Sequence, residues 1–434
     1  MSETKRASLG VVFLTMFIDL VGFSILFPLF GELMAYYRAD TGVIGTVLGT
    51  LNQWFPDASA GQEAALFGGI LIGLYALLQF VCAPLWGGLS DRIGRKPVLL
   101  ITIGGNLLGY LLWIWADSFA LLLVSRAICG VMAGNISVAT AAVADVTDST
   151  NRTKGMAFIG MAFGLGFILG PAIGGMSYHF LPRPEGGLTG FGLNPFSGPA
   201  IVAAVLAAVN LVWVGTRFGE TRQPGETAPV RLANPLKIFA GSNAELVKVN
   251  SGNFLFTTLF ACMEATLVFL AMDALNYTPG SMALVFVVLG FTSAGVQGGL
   301  VRRIAPKYGP RKLALAGLMV MVPAFIVLGS VAYVQASWLL YIGVVLLALG
   351  TGLVMPSMSG LVSLAASEAE QGRALGAFRG AGALGRAVGP FLGAGCYFAF
   401  GPAVPYWVAA AGMVLPLLLI ASVSRHEEAI DAQE

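Results

Sequence analysis

Residues 87–96 read GGLSDRIGRK, a short polar segment that separates two long apolar runs. Neither Leu66–Trp86 before it nor Pro97–Ala116 after it contains a charged residue. A helix that crosses a bilayer needs about 20 mostly apolar residues, because the hydrocarbon core is about 30 Å thick and each residue advances about 1.5 Å. The segment therefore predicts two membrane-spanning helices joined by a tight turn, in which glycine permits the reversal and acid and base are packed closely together.

The rest of the chain has the same apolar character. Of its 434 residues, 57% are hydrophobic and only 11% are charged. Soluble domains carry roughly a quarter charged residues, so this composition excludes a cytosolic enzyme, a disordered protein and a nucleic-acid binder. The four cysteines lie within apolar runs and indicate no extracellular disulfide framework. The sequence predicts an all-α membrane protein that crosses the bilayer many times.

Runs of suitable length bring the predicted number of spans to twelve. Leu313–Ser367 has no charge in 55 residues and is long enough for two spans, with a turn near Tyr333–Ser337. Ala387–Ser424 holds the end of one span and all of another, divided at Gly401-Pro402. The remaining spans are expected at Ala7–Phe30, Phe119–Ala144, Gly155–Ser177, Ala200–Thr216, Asn250–Met272, Gly280–Val301 and from near Arg373 onward.

The positions of lysine and arginine predict the orientation of the chain. With the N-terminus inside, 19 of the 24 basic residues lie in inner loops, and the outer side receives only Arg38 and Arg183. The other three, Arg126, Arg379 and Arg386, lie within spans. We therefore expect an integral, multi-pass protein of the plasma (inner) membrane with both termini in the cytoplasm, and we expect it to be a monomer.

The chain repeats itself across a segment rich in proline, glycine and charge. Five residues recur at a constant displacement of 219: Lys154, Gly166, Gly170, Pro171 and Gly174 correspond to Arg373, Gly385, Gly389, Pro390 and Gly393. The long outer loop after the first span has no counterpart after the seventh, so the displacement should be larger between those two spans. We predict an N-terminal six-helix half (1–217), a cytoplasmic central loop (218–247) and a C-terminal six-helix half with a short cytoplasmic tail (248–434). Two such pseudo-symmetric halves with a cavity between them suit alternating access.

Several motifs point to one family. The 87–96 segment resembles the loop signature between the second and third spans of the major facilitator superfamily. A fourth-span motif of that superfamily resembles Arg126-x3-Gly130-x3-Gly134, and the fifth-span motif of its proton-coupled antiporters resembles Gly166-x3-Gly170-Pro171-x2-Gly174-Gly175. The tetracycline and multidrug efflux branch is similar at Asp19-x2-Gly22-x5-Pro28 and at Ala144-Asp145-Val-Thr-Asp148.

The resemblance implies a cytoplasmic gate in the first of these motifs, formed by Gly87, Asp91, Arg92, Gly94, Arg95 and Lys96. It implies that Asp91 meets the positive end of the eleventh helix when the cytoplasmic side is closed. An anion at an exposed helix N-terminus is favoured by about 0.3–1 kcal/mol, which suits a reversible switch. Counted from Gly299, the residue that answers Asp91 is Arg303, so the second half should lack the equivalent acid. The fifth-span glycines by themselves predict only close helix packing, and their link with antiport comes from the resemblance.

Two carboxylates in the middle of spans are the main candidates for function. Asp19 lies in the first span and Glu264 in the seventh, so both should face the central cavity. An ionised side chain at mid-bilayer costs about 2.5–3.5 kcal/mol on insertion scales, and such residues usually line a cavity. We expect one of them to take up the coupling proton, since a cavity that alternately hydrates the acid and pairs it with Arg126 would load and release a proton. The alternative is a structural ion pair, such as Asp19–Arg126, that only orients helices.

Other polar residues in the spans have open interpretations. Arg386 is a candidate anchor for an anionic substrate, because guanidinium binds carboxylate or phosphate through two hydrogen bonds, or a counter-ion for Glu264. Gln79 is a candidate neutral contact in the cavity. His179 is isolated at the outer end of the fifth span, which argues against a proton relay or a metal site, and His426 is expected to be solvated.

The sequence contains no Walker A string and no serine–histidine pair within a span, so we expect neither an ATPase nor another enzyme. It predicts a secondary active transporter that exports small amphipathic organic compounds by antiport with protons. Its partners would be the substrate, protons and the lipid bilayer, with no nucleic acid, no metal and no cofactor, and the proton gradient would supply the energy. The alternative is a symporter or facilitator of a small organic anion or metabolite, anchored by Arg126 or Arg386.

Overall fold

The computed structural model describes residues 3–37, 42–54, 56–146, 162, 165–166, 169–178, 193–221, 239, 243–366 and 371–424. All regular secondary structure in these residues is helical. The helices of the N-terminal part are α1 (Glu3–Ser24), α2 (Phe30–Tyr37), α3 (Val43–Trp54), α4 (Ala60–Ile93), α5 (Arg95–Ile114), α6 (Phe119–Met132), α7 (Asn135–Val146), α8 (residues 169–177) and α9 (Ser197–Arg217). Those of the C-terminal part are α10 (Ala244–Leu275), α11 (Pro279–Gly295), α12 (Arg302–Val334), α13 (Ser337–Ala365), α14 (Gln371–Phe400), α15 (Val404–Gly412) and α16 (Val414–Ala421).

Nine stretches of the described residues are long and apolar enough to cross a membrane. One of them, Pro279–Val334, has 56 residues and can supply two crossings. The 30-residue α14 is not among the nine, since arginines and many glycines interrupt its apolar character. Most of the predicted fifth span, Gly155–Ser177, lies outside the described residues, as do His179 and His426. The predicted all-α fold with many spans is confirmed.

Two predicted spans are interrupted. The first bends after α1, where Pro28 lies in a 3-10 turn (Phe27–Leu29) before α2 begins. Proline has no backbone N–H to donate, so a helix is easily broken beside it. The fourth span is divided between α6 and α7, and the new helix begins at Asn135. This second break presents the Asn135 side chain at the start of a helix.

The polar turn at 87–96 is shorter than predicted. Gly87 and the residues up to Ile93 form the last turns of α4, and the chain reverses at Gly94 alone, where φ is 102°. In the C-terminal part a π-helical turn (Val296–Val301) leads into α12, which Gly309 breaks with φ 69°. If the two turns are aligned on these glycines, Pro306 corresponds to Asp91, and the assignment of Arg303 was wrong. The second turn still contains no acid, as predicted.

The other predicted turns are confirmed. Between α12 and α13 the chain turns at Gln335, which has φ 52°. Between α14 and α15 it turns at Gly401, with φ 93°. Both lie within the ranges that the sequence indicated.

The chain forms two compact units. The first is drawn from Met1–Asp57, Leu74–Ala233 and Thr278–Val287, and the second from Ala58–Gly73, Asn234–Tyr277 and Val288–Glu434. In the first unit α5 packs against α6, α7 and α9, and α1 packs against α7 and α9. In the second, α10 packs along α14 and α12 along α13. The division into 1–217, 218–247 and 248–434 stays a prediction, and much of the central segment lies outside the described residues.

Candidate functional site

A buried carboxylate lies in the middle of α1. Asp19 is 6% exposed, and its two oxygens accept hydrogen bonds from two side-chain amides. Asn106 of α5 donates to Oδ1 across 3.3 Å, and Asn135 of α7 donates to Oδ2. Amide N–H groups can bond either an ionised carboxylate or the carbonyl oxygen of a protonated acid. The two asparagines therefore hold the Asp19 carboxyl group through neutral donors.

A buried arginine lies in the same unit. Arg126 of α6 is 2% exposed, and its Nη2 donates to Ser125 Oγ across 3.1 Å. Its guanidinium carbon lies 4.8 Å from the ring centre of Trp113 and 5.5 Å from that of Tyr110. Cation–π contacts of this kind contribute about 0.5–2 kcal/mol each. Its Nε has no hydrogen-bond acceptor among the described residues, so one donor of a buried cation is left over.

Asp19 and Arg126 do not form an ion pair within the described residues. Instead, both border Tyr110. A Cβ built on Gly22, one turn after Asp19, would collide with the Tyr110 hydroxyl, so that hydroxyl lies directly on α1. The structural ion pair that the sequence left open is absent from this arrangement, and the acid and the base are held by separate neutral partners.

The glycines of the fourth-span motif bring α6 and α7 onto α4. A Cβ on Gly130 would lie 2.9 Å from the Tyr75 carbonyl oxygen, and one on Gly134 would lie 3.0 Å from the Ala83 nitrogen. Between these contacts, Gln79 donates from Nε2 to the Ala133 carbonyl across 3.2 Å. Gln79 is half-buried and satisfies a carbonyl at the break between α6 and α7. Its role as a cavity contact stays a prediction.

The repeated glycines make the same packing in both units. A Cβ on Gly166 would lie 3.3 Å from the Phe17 carbonyl oxygen, and one on Gly385 would lie 2.8 Å from that of Phe254. One helical turn on, Gly170 meets Val21 at 3.0 Å and Gly389 meets Thr258 at 2.6 Å. After another turn, Gly174 meets Ile25 and Gly393 meets Cys262. The repeat predicted from the sequence is thus a repeated contact, α8 on α1 and α14 on α10.

These contacts show which residues of α1 and α10 correspond to each other in the internal repeat. The partner residues are displaced by 237 (17 and 254, 21 and 258, 25 and 262), which is larger than 219, as predicted. At this displacement Asp19 corresponds to Phe256, and Glu264 corresponds to Phe27. The two carboxylates are therefore eight positions apart in the repeat, about 12 Å along a helix. They do not occupy equivalent places.

The two remaining residues of the fifth-span motif, Pro171 and Gly175, do not take part in the repeated contact with α1. Pro171 is buried in α8. A Cβ on Gly175 would lie 2.9 Å from the Pro279 carbonyl oxygen at the start of α11, so the last glycine of the run contacts a second helix.

The second unit also has an acid and a base within its helices, Glu264 and Arg386. Both are half-buried, and Arg386 of α14 is close enough to act electrostatically on the Glu264 carboxylate of α10. No hydrogen bond to that carboxylate occurs among the described residues. This arrangement favours the counter-ion interpretation of Arg386 that the sequence left open.

The Gly94 turn is held by a network of charges. Arg95 Nη1 donates to Asp91 Oδ1 across 2.6 Å, and its Nε donates to Asp145 Oδ2 across 3.0 Å. Arg92 is exposed, and Gly87 lies beside Ser137 of α7. In this arrangement Asp91 is paired with Arg95 of the same turn.

A carboxylate after α9 caps the helix that follows the turn. Glu220 accepts hydrogen bonds from the backbone nitrogens of Arg95 (2.9 Å) and Lys96 (3.1 Å). These are among the first N–H groups of α5, which have no partner within the helix, and a negative charge is favoured there. A Cβ on Gly94 would collide with the same carboxylate, so Gly94 is needed for space as well as for its positive φ.

Sequence reasoning did not single out Asn106, Asn135 or Glu220. The signal for the first two was a lone asparagine within an apolar run, GGNLL and AGNIS. The signal for Glu220 was an acid within the first residues after a span. In each case the partner is remote in the chain, so only packing brings the residues together.

The apolar helices, the buried acid and base and the repeated glycine contacts define a multi-pass membrane transporter built from a duplicated helix bundle. The sequence model of the Major Facilitator Superfamily matches residues 12–307 and 252–433. The chain belongs to this superfamily, and it is a transporter of small molecules rather than an enzyme.

Individual relatives agree with this assignment. The chain is 32% identical to the bovine (Bos taurus) Major facilitator superfamily domain-containing protein 10, over 98% of this chain and 94% of that protein. It is 28% identical to the class B tetracycline resistance protein of Escherichia coli, over 77% of this chain and 79% of that protein. The crystal structure of the human organic anion transporter MFSD10 (TETRAN) superposes with a TM-score of 0.77 at 30% identity, covering 97% of this chain and 100% of that one.

Proposed function

We propose that the protein is a proton-coupled antiporter that exports small amphipathic organic compounds by alternating access. The observation that carries the proposal is the Asp19 carboxylate, buried in α1 and bonded by two neutral amides. Protonation of an acid paired with arginine would leave a buried cation without its counter-ion, whereas an acid held by neutral amides gains and loses a proton without that cost. Similarity to tetracycline resistance proteins supports the direction of transport.

In this proposal Asp19 is the proton site. Arg126 influences its protonation from the other side of Tyr110, which both residues border. Glu264, which has Arg386 nearby, is a second acidic position, eight residues further along the repeat than Asp19. It is available to a cationic group of the substrate. The excess of basic residues in the predicted inner loops supports cytoplasmic termini. We place the protein in the plasma membrane.

A second candidate is a symporter or facilitator of a small organic anion. Arg126 favours it, because a buried guanidinium with an unused Nε and an aromatic face beside it offers hydrogen bonds and stacking to an aromatic carboxylate. The similarity to the human organic anion transporter supports the same substrate class.

The test uses reconstituted vesicles with an imposed pH gradient and a fluorescent pH reporter. A panel of lipophilic cations, tetracyclines and organic acids is added to the wild type and to Asp19→Asn. Collapse of the gradient by cations or tetracyclines, absent in the variant, is the expected result. Collapse by organic acids alone would reject the first candidate in favour of the second.

A further inference from the structure

The start of α4 is tied to the end of α14 by one side chain. Gln62 Oε1 accepts from the Ser59 backbone nitrogen (2.8 Å), while Ser59 Oγ accepts from the Gln62 nitrogen (3.2 Å), which is a capping box. The Nε2 of Gln62 also donates to the Phe398 carbonyl oxygen across 2.9 Å. That carbonyl belongs to the last turn of α14, where no intrahelical donor is available. Gln62 therefore satisfies the ends of two helices at once.

A carboxylate of α10 adds a second tie at the same place. Tyr397 of α14 is fully buried, and its hydroxyl donates to Asp273 Oδ2 across 2.6 Å. A Cβ on Gly61 would collide with the Asp273 carboxyl group, so this group lies against the first turn of α4. The N-terminus of a helix carries a partial positive charge and attracts an anion.

Further along α4, glycines without side chains form the surface that contacts α10 and α14. Gly68 faces the ring of Phe269, Gly69 would place a Cβ 3.0 Å from the Pro390 carbonyl oxygen, and Gly73 faces the ring of Phe391. Within a bilayer no hydrophobic force drives helices together, so close packing and hydrogen bonds carry the association. The hydrogen bonds of Gln62 and Tyr397 at the start of α4 are thus the directional interactions of this contact.

We propose that Gln62, Asp273 and Tyr397 form a latch, which must release before α4 can leave α10 and α14 at this end. Along α4, the latch residue Gln62 lies 29 positions before Asp91, a helical rise of about 44 Å. Each end of α4 thus carries its own polar lock, a carboxylate–tyrosine–glutamine latch at the start and the Gly94 turn at the end. The inference rests on the proposed alternating access.

The test measures how often the contact opens, without substrate or gradient. Ala65 is fully buried on α4 between Gly61 and Gly68. In a protein whose four native cysteines are replaced, an Ala65→Cys reporter in lipid nanodiscs is labelled with an impermeant maleimide. Tyr397→Phe removes one hydrogen bond and should accelerate labelling about two- to tenfold. Gln62→Glu keeps the capping box but turns a carboxylate toward the Phe398 carbonyl, and should accelerate labelling at least as much.

The matched control is Tyr406→Phe. Tyr406 is also a fully buried tyrosine of the second unit, but its hydroxyl accepts from Thr266 of α10. Labelling in this control should stay at the parent rate. If both latch variants label at the parent rate, or if Tyr406→Phe accelerates labelling equally, the latch is rejected. Because the reporter needs no transport, failure of the proposed substrate or of proton coupling would leave this result unaffected.

Discussion

At the scale of single residues, the environments of Asp19 and Arg126 differ in a way that bears on their roles. The acid has two amide donors, and the base has a hydroxyl and two aromatic faces. Each is therefore stabilised without the other. A buried ion pair would instead have fixed the charge state of both groups.

The sequence predicted that Asp19 and Arg126 are buried and important, because charges within apolar runs are costly. It did not predict Asn106 or Asn135 as the partners of Asp19. Those residues come from α5 and α7, and the contact depends on the break that makes Asn135 the first residue of a helix. Hydrophobicity alone carries no information about such a break.

Arg126 should require a guanidinium rather than any positive charge. Arg126→Lys keeps the charge but loses the planar group that stacks on Trp113, and we expect the initial rate of transport in vesicles to fall about tenfold. The matched control is Arg217→Lys, at the exposed end of α9, which should transport as the wild type does. A wild-type rate for Arg126→Lys would contradict the role given to its stacked geometry.

At the scale of helices, the duplicated glycines explain how one sequence pattern builds both units. The displacement of 219 was readable from the sequence, since it relates residues of one type. The displacement of 237 between α1 and α10 was not, because Phe17, Val21 and Ile25 contribute backbone carbonyls and any residue can do so. The sequence therefore related the first span to the seventh but did not show that Asp19 and Glu264 lie eight positions apart in the repeat.

Two glycines of α14 should respond in opposite ways to the same change. Gly389→Ala places a methyl group 2.6 Å from the Ala261 Cβ, and we expect it to destabilise the protein by about 1–3 kcal/mol. Gly395→Ala meets open space, and should stabilise slightly, by about 0.5–1 kcal/mol, because alanine favours a helix. Thermal unfolding of the purified variants measures both. Equal effects at the two positions would show that the α10–α14 contact is looser than described.

At the scale of the whole molecule, the two ends of α4 differ in their partners. Around the Gly94 turn, Asp91, Asp145 and Glu220 all bond Arg95, through its side chain or its backbone. The sequence predicted acid and base in this turn from their spacing. It did not predict the Asp91–Arg95 pair, because the resemblance implied a partner at the eleventh helix.

Removing the charge of Asp91 should shift the conformational equilibrium. If Asp91 stabilises the state that is closed toward the cytoplasm only weakly, Asp91→Asn changes the populations of the two states about two- to fivefold. In alternating access the state closed toward the cytoplasm is the state open to the outside, so we expect less of the outward-open state in the variant. Labelling of the Ala65→Cys reporter, at the opposite end of α4, should then slow about two- to fivefold, with Asp57→Asn, an exposed acid, as the control. Unchanged labelling would count against the gate role.

The central claim is that Asp19 exchanges the coupling proton. Asp19→Asn is structurally mild, because Asn106 has an unused Oδ1 that can accept from the new amide when its side chain rotates. The most direct test compares two rates in the same vesicles, using the panel compound that collapses the gradient. One rate is exchange of labelled for unlabelled compound without a gradient, and the other is accumulation driven by an acidic interior. The variant should retain exchange and lose accumulation. Accumulation at the wild-type level would contradict the account and leave Asp19 a packing residue.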